Sequence, residues 1–237
     1  FPDVDFSAVA SLPRAQAQVF CEASSYQAKL KELLAKSPRP VVEAPAPFGL
    51  AGTRKCLAAV AAATGRAAAL DKLWKKKLAA VQPEWERMKA QAKGLRLAFV
   101  VSETTLPRLW SVRHGQGAPL MRMISEMGFP VDFLYYAPHA ETPELPEPAS
   151  GAAVTPFRTP RELELALRGG SFQAVYSDIC FDWRISSAGK ARFSSKDFEM
   201  GLAGALRSFQ RLLDLCRLPF YARYGGHLPR PAGRSHV

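Results

Sequence analysis

Between Ala174 and Tyr221 the pattern of apolar residues changes period, and that change leaves few folds open. Ala174-Val175-Tyr176-Ser177-Asp178-Ile179 is a short apolar, β-branched run of the kind that forms a strand buried on both faces of a parallel sheet. From Phe198 onward, Leu202, Ala205, Phe209, Leu212 and Cys216 recur at steps of four and three, which describes one face of a long helix. Ser194 and Asp197 form a capping-box pattern at its predicted start, and Pro219 predicts its end. The polar segment in between, with Cys180, Asp182, Arg184, Lys190 and Arg192, reads as a loop at the carboxyl end of a strand. Open α/β sheets place ligands there, so the loop is the first candidate for function.

The same alternation runs through the rest of the chain. Ala17 to Cys21 predicts a first strand that ends on a cysteine, followed by a helical pattern from Ser24 to Lys36 that Ser37-Pro38-Arg39-Pro40 breaks. Val41 to Ala44 is a second strand, and a Pro/Gly loop from Pro45 to Thr53 opens a helix through Leu57, Val60 and Ala61 to Gly65. Leu70, Trp74, Leu78, Val81, Trp85, Met88 and Ala92 form a helical seam in which Pro83 predicts a kink or the start of a second helix. Leu95 to Val101 is the clearest buried strand. A loop from Ser102 to Gly117 follows, then a helix closed by Gly128 and a strand from Val131 to Tyr136. A proline-rich loop from Pro138 to Pro148 and a short helix from Thr159 to Arg168 lead into Ala174. The expected fold class is α/β: two Rossmann-like parallel-sheet domains, built of strand-helix repeats, joined by a helical segment. The expected limits are a partial domain over 1–65, a helical connector over 66–93, a second domain over 94–224 and a flexible basic tail over 225–237.

With 237 residues and 48% hydrophobic composition the chain can bury an ordinary core. No apolar run approaches the roughly 20 residues of a membrane-spanning helix. The opening Phe1-Pro2-Asp3-Val4-Asp5 lacks the basic and apolar regions of a signal peptide, and there is no initiating Met, so the expectation is a piece of a longer chain. Cys21, Cys56, Cys180 and Cys216 are widely spaced, which predicts reduced thiols and a cytoplasmic protein. The net charge of +11 contains one dense run, Lys75-Lys76-Lys77, and the remaining cations are scattered. That distribution argues for a solvated basic face, or an acidic protein partner, rather than nucleic-acid binding.

No dinucleotide, P-loop, hydrolase-elbow or zincin motif is present. Loops at the carboxyl ends of parallel strands share one sheet edge, and two such domains face each other across a cleft. Three loops are therefore expected to converge: the turn at Cys21, the loop with Arg113, His114 and Gly115, and the loop from Cys180 to Ser195 that includes Arg184. Thiolate, arginine, histidine and glycine backbone together suit an anionic cluster or a carboxylate-bearing ligand. Two plainer readings stand beside these. Cys21 reads as a small buried hydrophobe at a strand end, and Asp182 with Arg184 as a local ion pair.

The motifs YSDI at Tyr176, FDWR at Phe181, AGK at Ala188, FEMG at Phe198 and GALRS at Gly204 resemble the C-terminal domain of subunits in the nitrogenase component 1 superfamily. The strand ending in Cys21, Ser24-Ser25-Tyr26, Pro40-Val41-Val42, Pro47-Phe48-Gly49 and the helix headed by Thr53 are similar to the middle domain of its α-type subunits. The resemblance implies that Cys21 ligates a terminal iron of an iron-sulfur-type metallocluster, that Arg113 and Gly115 contact that cofactor, and that His139 lies near the same cleft. Departures accompany it: Met200 stands where the family has a second cofactor ligand, a histidine, and the cysteines of the subunit-bridging relay cluster are not in the chain. The implied function is the C-terminal half of an oxidoreductase subunit in a heterotetramer-like complex with a homologous partner subunit. Its cleft would hold a metallocluster or reducible substrate fed by electrons from an ATP-dependent iron-sulfur reductase. A tetrapyrrole is the alternative substrate, with Asp178 and His139 as proton donors. Two further readings are a non-catalytic scaffold for metallocluster maturation and a nucleotide-sugar-binding double-Rossmann transferase.

Overall fold

Gln18–Cys21 (β1) and Val41–Ala44 (β2) form a two-stranded parallel sheet in which Cys21 lies opposite Ala44. The computed structural model describes residues 14–21, 28–36, 39–112, 118–138, 145, 151–177, 182–218 and 220–224. Helix Ala28–Ala35 (α1) lies between the two strands in sequence, and Gly49–Ala63 (α2) follows them. Ala67–Ala92 (α3) is one uninterrupted helix, so Pro83 starts no second helix. Pro83 and Ala79, whose carbonyl loses its i+4 donor, are both exposed, and water can satisfy that carbonyl. The predicted seam is the buried side: Trp74, Trp85, Met88 and Ala92 face inward.

The second sheet has five parallel strands in the order β5-β4-β3-β6-β7: Leu97–Ser102 (β3), Val131–Tyr136 (β4), Ala153–Phe157 (β5), Ala174–Tyr176 (β6) and Ala191–Phe193 (β7). Chain order reverses direction between β3 and β6, the switch point at which doubly wound sheets open a crevice. Strand alternation feeds two cores. Leu97, Phe99 and Val101 point to one face, and Ala98 to the other. On the first face, fully buried Phe99 stacks on Phe133 at 5.9 Å and meets Phe193 edge-on at 5.6 Å. Leu120–Met127 (α4), α3 and Gly201–Arg217 (α7) cover this face, with Trp85 edge-on to Phe209 at 4.9 Å. Pro160–Gly169 (α5) and Trp183–Ser187 (α6) cover the other through Leu163, Leu167 and Ile185. Phe220–Tyr224 (α8) ends the described chain.

Local signals hold where they close on neighbours in sequence. Gly128 takes φ +80° and donates to Ile124 and Ser125, ending α4. Thr159 caps α5 by accepting from the Glu162 amide at 3.2 Å.

Three expectations need correction. The segment read as a polar loop contains α6 and the edge strand β7. Lys190 therefore lies at the amino edge of the sheet, donating to the Gly170 and Phe172 carbonyls that precede β6, and not at the ligand edge. The capping box of Ser194 and Asp197 is real but closes a 3-10 turn over Ser195–Asp197, and the long helix begins only at Gly201. Finally, β5 was not expected: it is a short edge strand with exposed residues and carries Pro156, so neither its apolar pattern nor its propensity announces it. Among the described residues no helix is long and apolar enough to cross a membrane.

Candidate functional site

Pro45 to Phe48 leave the carboxyl end of β2, and Ser194 to Met200 leave the carboxyl end of β7. These two segments meet. The Gly201 amide donates to the Pro47 carbonyl at 2.7 Å, and Phe48 forms an antiparallel bridge with Met200. The carboxyl edges of the two sheets are thereby brought face to face. Gly201 takes φ +80°, a conformation costly for other residues, and this bends the chain from the Phe48 bridge into α7. Thr53 reinforces the Pro47 side by donating to the Pro47 carbonyl at 3.0 Å and the Gly49 carbonyl at 2.6 Å.

The Ser194–Met200 segment is tied down on its own side as well. Glu199 pairs with Arg207 at 2.7 Å and with Arg211 at 2.7 Å, and these guanidiniums, Arg207 foremost, hold its carboxyl below the usual range. The Glu199 amide donates to the Ser208 hydroxyl at 2.7 Å, and Arg211 also donates to the Asp197 carbonyl at 2.8 Å. Met200 itself remains 52% exposed, so its thioether is open to the edge.

Cys21 sits at the carboxyl end of β1, half-buried, and Cys56 of α2 is buried. Burial, then the neighbouring Cys21, pushes the Cys56 thiol up. Cys56 lies on the buried face of α2 with Gly49 and Thr53, at i, i+4 and i+7 spacing. The sequence places Cys56 on a helix face in the core, and it is buried there.

Beside this edge a cleft of about 310 Å³ opens between α2 and α4, lined by Phe48, Lys55, Val112, Arg122, Met123 and Glu126 among others. Phe48, at the N-cap of α2, offers that helix no side-chain acceptor. The Glu126 carboxylate fills the role from α4, accepting from the Leu50 amide at 3.2 Å and the Ala51 amide at 2.9 Å. Burial raises the Glu126 carboxyl above its ordinary value, outweighing those two amides and Lys89. Gly49 allows this approach, because a Cβ at its φ of +69° would run into that carboxylate.

Of the residues expected to bind the cofactor, hold the metal or supply protons, Cys21 and Arg184 are described. Arg184 begins just beyond β6, where its guanidinium forms a two-point pair with Asp182, Nε to Oδ1 and Nη2 to Oδ2 both at 2.9 Å. That bonding raises the Arg184 pKa, and the guanidinium is committed to Asp182 rather than to Cys21. Arg113, His114, Gly115, His139, Asp178 and Cys180 lie outside the described residues. Among the described residues no group of three or more His, Cys, Asp or Glu side chains is placed to hold a metal ion. Among the described residues Cys21 offers a half-buried thiol at the carboxyl end of β1, which fits one terminal iron.

Residues 1–159 match the family model for nitrogenase component 1 type oxidoreductases. The chain belongs to this family. The fold of this nitrogenase component 1 type chain is shared with solved structures of nitrogenase Cp1 at pH 5 (TM-score 0.59, 14% identity) and at pH 6.5 (TM-score 0.60, 13% identity). Those likenesses cover 97% of this chain and 51% and 53% of the solved chains, so it spans about half their length. No curated protein matches it.

Proposed function

We propose that this chain is the C-terminal half of a nitrogenase component 1-like oxidoreductase subunit, and that the edge-to-edge cleft holds an iron-sulfur-type metallocluster or a reducible substrate. The observation that carries the reading is the apposition of the two carboxyl edges, Pro47 and Phe48 against Met200 and Gly201, with a half-exposed Cys21 on the same edge. When bound, such a cluster would store and deliver electrons at low potential. Cys21 would hold one iron through its thiolate. Arg113, His114, Gly115, Cys180 and Arg184 would complete the lining, balancing anionic charge and offering backbone N–H groups. Asp178 and His139 would supply protons to the substrate. The partners of this reading are a homologous subunit and an ATP-dependent iron-sulfur reductase, in the cytoplasm.

The test is anaerobic reconstitution of the complete complex with wild-type chain and with Cys21→Ala. The expected result is loss of a cluster-specific spectroscopic signal in the variant with folding unchanged. A signal that survives Cys21→Ala, or an intact complex without iron, overturns the ligand role. An organic ligand such as a tetrapyrrole would then occupy the cleft.

A further inference from the structure

We propose that the cleft between α2 and α4 is a binding site for a small organic monocarboxylate with an apolar body. Two helical stripes face each other there: Phe48 and Lys55, one helical repeat apart at the start of α2, and Pro119, Arg122, Met123 and Glu126 at i, i+3, i+4 and i+7 along α4. The space of about 310 Å³ is of a size that takes a small ligand, and a mostly apolar wall with a few polar groups is the usual make-up of such sites. Neither Cys21 nor Met200 lines it, so the site is separate from the metal-ligand role proposed for Cys21.

The charges at the cleft name the ligand class. Arg122 stands one turn before Glu126, a spacing at which an ion pair ordinarily forms on a helix. Here both Glu126 oxygens are taken by the Leu50 and Ala51 amides of α2, and Arg122 has no ion-pair or hydrogen-bond partner among the described residues. Lys55 has none either, and both cations are exposed and open to a reagent from solvent. Two cations against one carboxylate leave a single positive charge to neutralise, which matches a monoanion. A phosphate monoester would bring a second negative charge toward Glu126 with no cation left to meet it. The Arg122 guanidinium can offer a carboxylate two parallel donors and Lys55 a point charge, while Phe48 and Met123 cover the apolar end. Burial raises the Glu126 carboxyl, so this wall is partly shielded from water, and shielding strengthens a charge contact made beside it.

The experiment titrates phenylacetate into the isotope-labelled 237-residue chain and follows the amide resonances, with phenylacetamide as the neutral analogue and phenyl phosphate as the dianion. The expected result is saturable binding of phenylacetate, with shifts centred on the start of α2 and on α4. Affinity should fall about tenfold or more for phenylacetamide, and by a similar factor in Arg122→Gln. Adding Lys55→Gln should abolish what remains. Arg168→Gln, on α5 across the large sheet, should change nothing, which separates the site from general attraction to a basic protein. Arg122 and Lys55 are exposed and unpartnered among the described residues, so their replacement leaves the fold in place, and circular dichroism checks this. No saturable shift, equal affinity for phenylacetamide, tighter binding of phenyl phosphate, shifts centred away from the two helices, an affinity unchanged by Arg122→Gln, or binding that survives both substitutions each overturn the proposal. No metal takes part, so the result is independent of the outcome with Cys21→Ala.

Discussion

Gly204 decides whether the Phe198–Met200 segment can fold down on α7. A Cβ there would lie 2.8 Å from the Glu199 backbone, closer than such atoms approach. Gly204→Ala should push Glu199 away and break its amide bond to Ser208, with a loss of about 2 kcal/mol in urea unfolding. The arginine partners of Glu199 stay in place and should not rescue it. Cys216 offers a second check at this scale. With a thiol pKa of about 12 it should resist alkylation at pH 8 in the folded chain and react at once on unfolding. Cys216→Ala should cost on the order of 1 kcal/mol through lost packing.

At the scale of elements, α2 owes its amino-terminal cap to a residue 75 positions away. Glu126→Ala would leave the partly buried Leu50 amide without its acceptor, while water can replace the bond to the exposed Ala51 amide, an expected loss of about 1 kcal/mol; Glu126→Gln keeps one acceptor and should lose less. The pH dependence has a definite sign. Because burial raises the Glu126 pKa in the fold, its contribution to stability is complete below the ordinary carboxylate value and is lost as pH rises through the raised one. Stability of the wild type relative to Glu126→Gln should therefore fall across that window, and urea midpoints at a series of pH values measure it. Helix α3 gives the opposite kind of case. Pro83 occupies an exposed interior position of an unbroken helix, at a cost of about 3 kcal/mol, offset by up to about 1 kcal/mol from its stiffening of the unfolded chain. Pro83→Ala should stabilise the protein by about 2 kcal/mol, visible as a higher Tm.

Across the whole molecule, the small sheet leaves apolar surface uncovered. Val19, Leu57 and Leu73 are 44%, 38% and 50% exposed along a groove of about 520 Å³ between β1, α2 and α3. The isolated chain should bind a hydrophobic dye or self-associate, and a dye-silent monomer in ultracentrifugation would contradict that. We also propose the division into 1–65, a connector over 66–93, 94–224 and a tail over 225–237. Limited proteolysis tests it: a first cut inside Leu97–Val101 would defeat the division. What the amino-acid sequence determined alone was everything local. The apolar period of β3, the seam of α3, Gly128 after α4 and Thr159 before α5 each act within a few residues, so strands, helices and the α/β class could be read directly. The tertiary structure alone decided which distant groups meet. Strand β7 and helix α6 are too short to show a period, and β5 is an edge strand that buries little. Glu126 on α2 and Phe48 on Met200 are contacts between segments whose own patterns are satisfied without them. Their energies arise only when packing closes the space between the sheets, and no residue spacing encodes that distance.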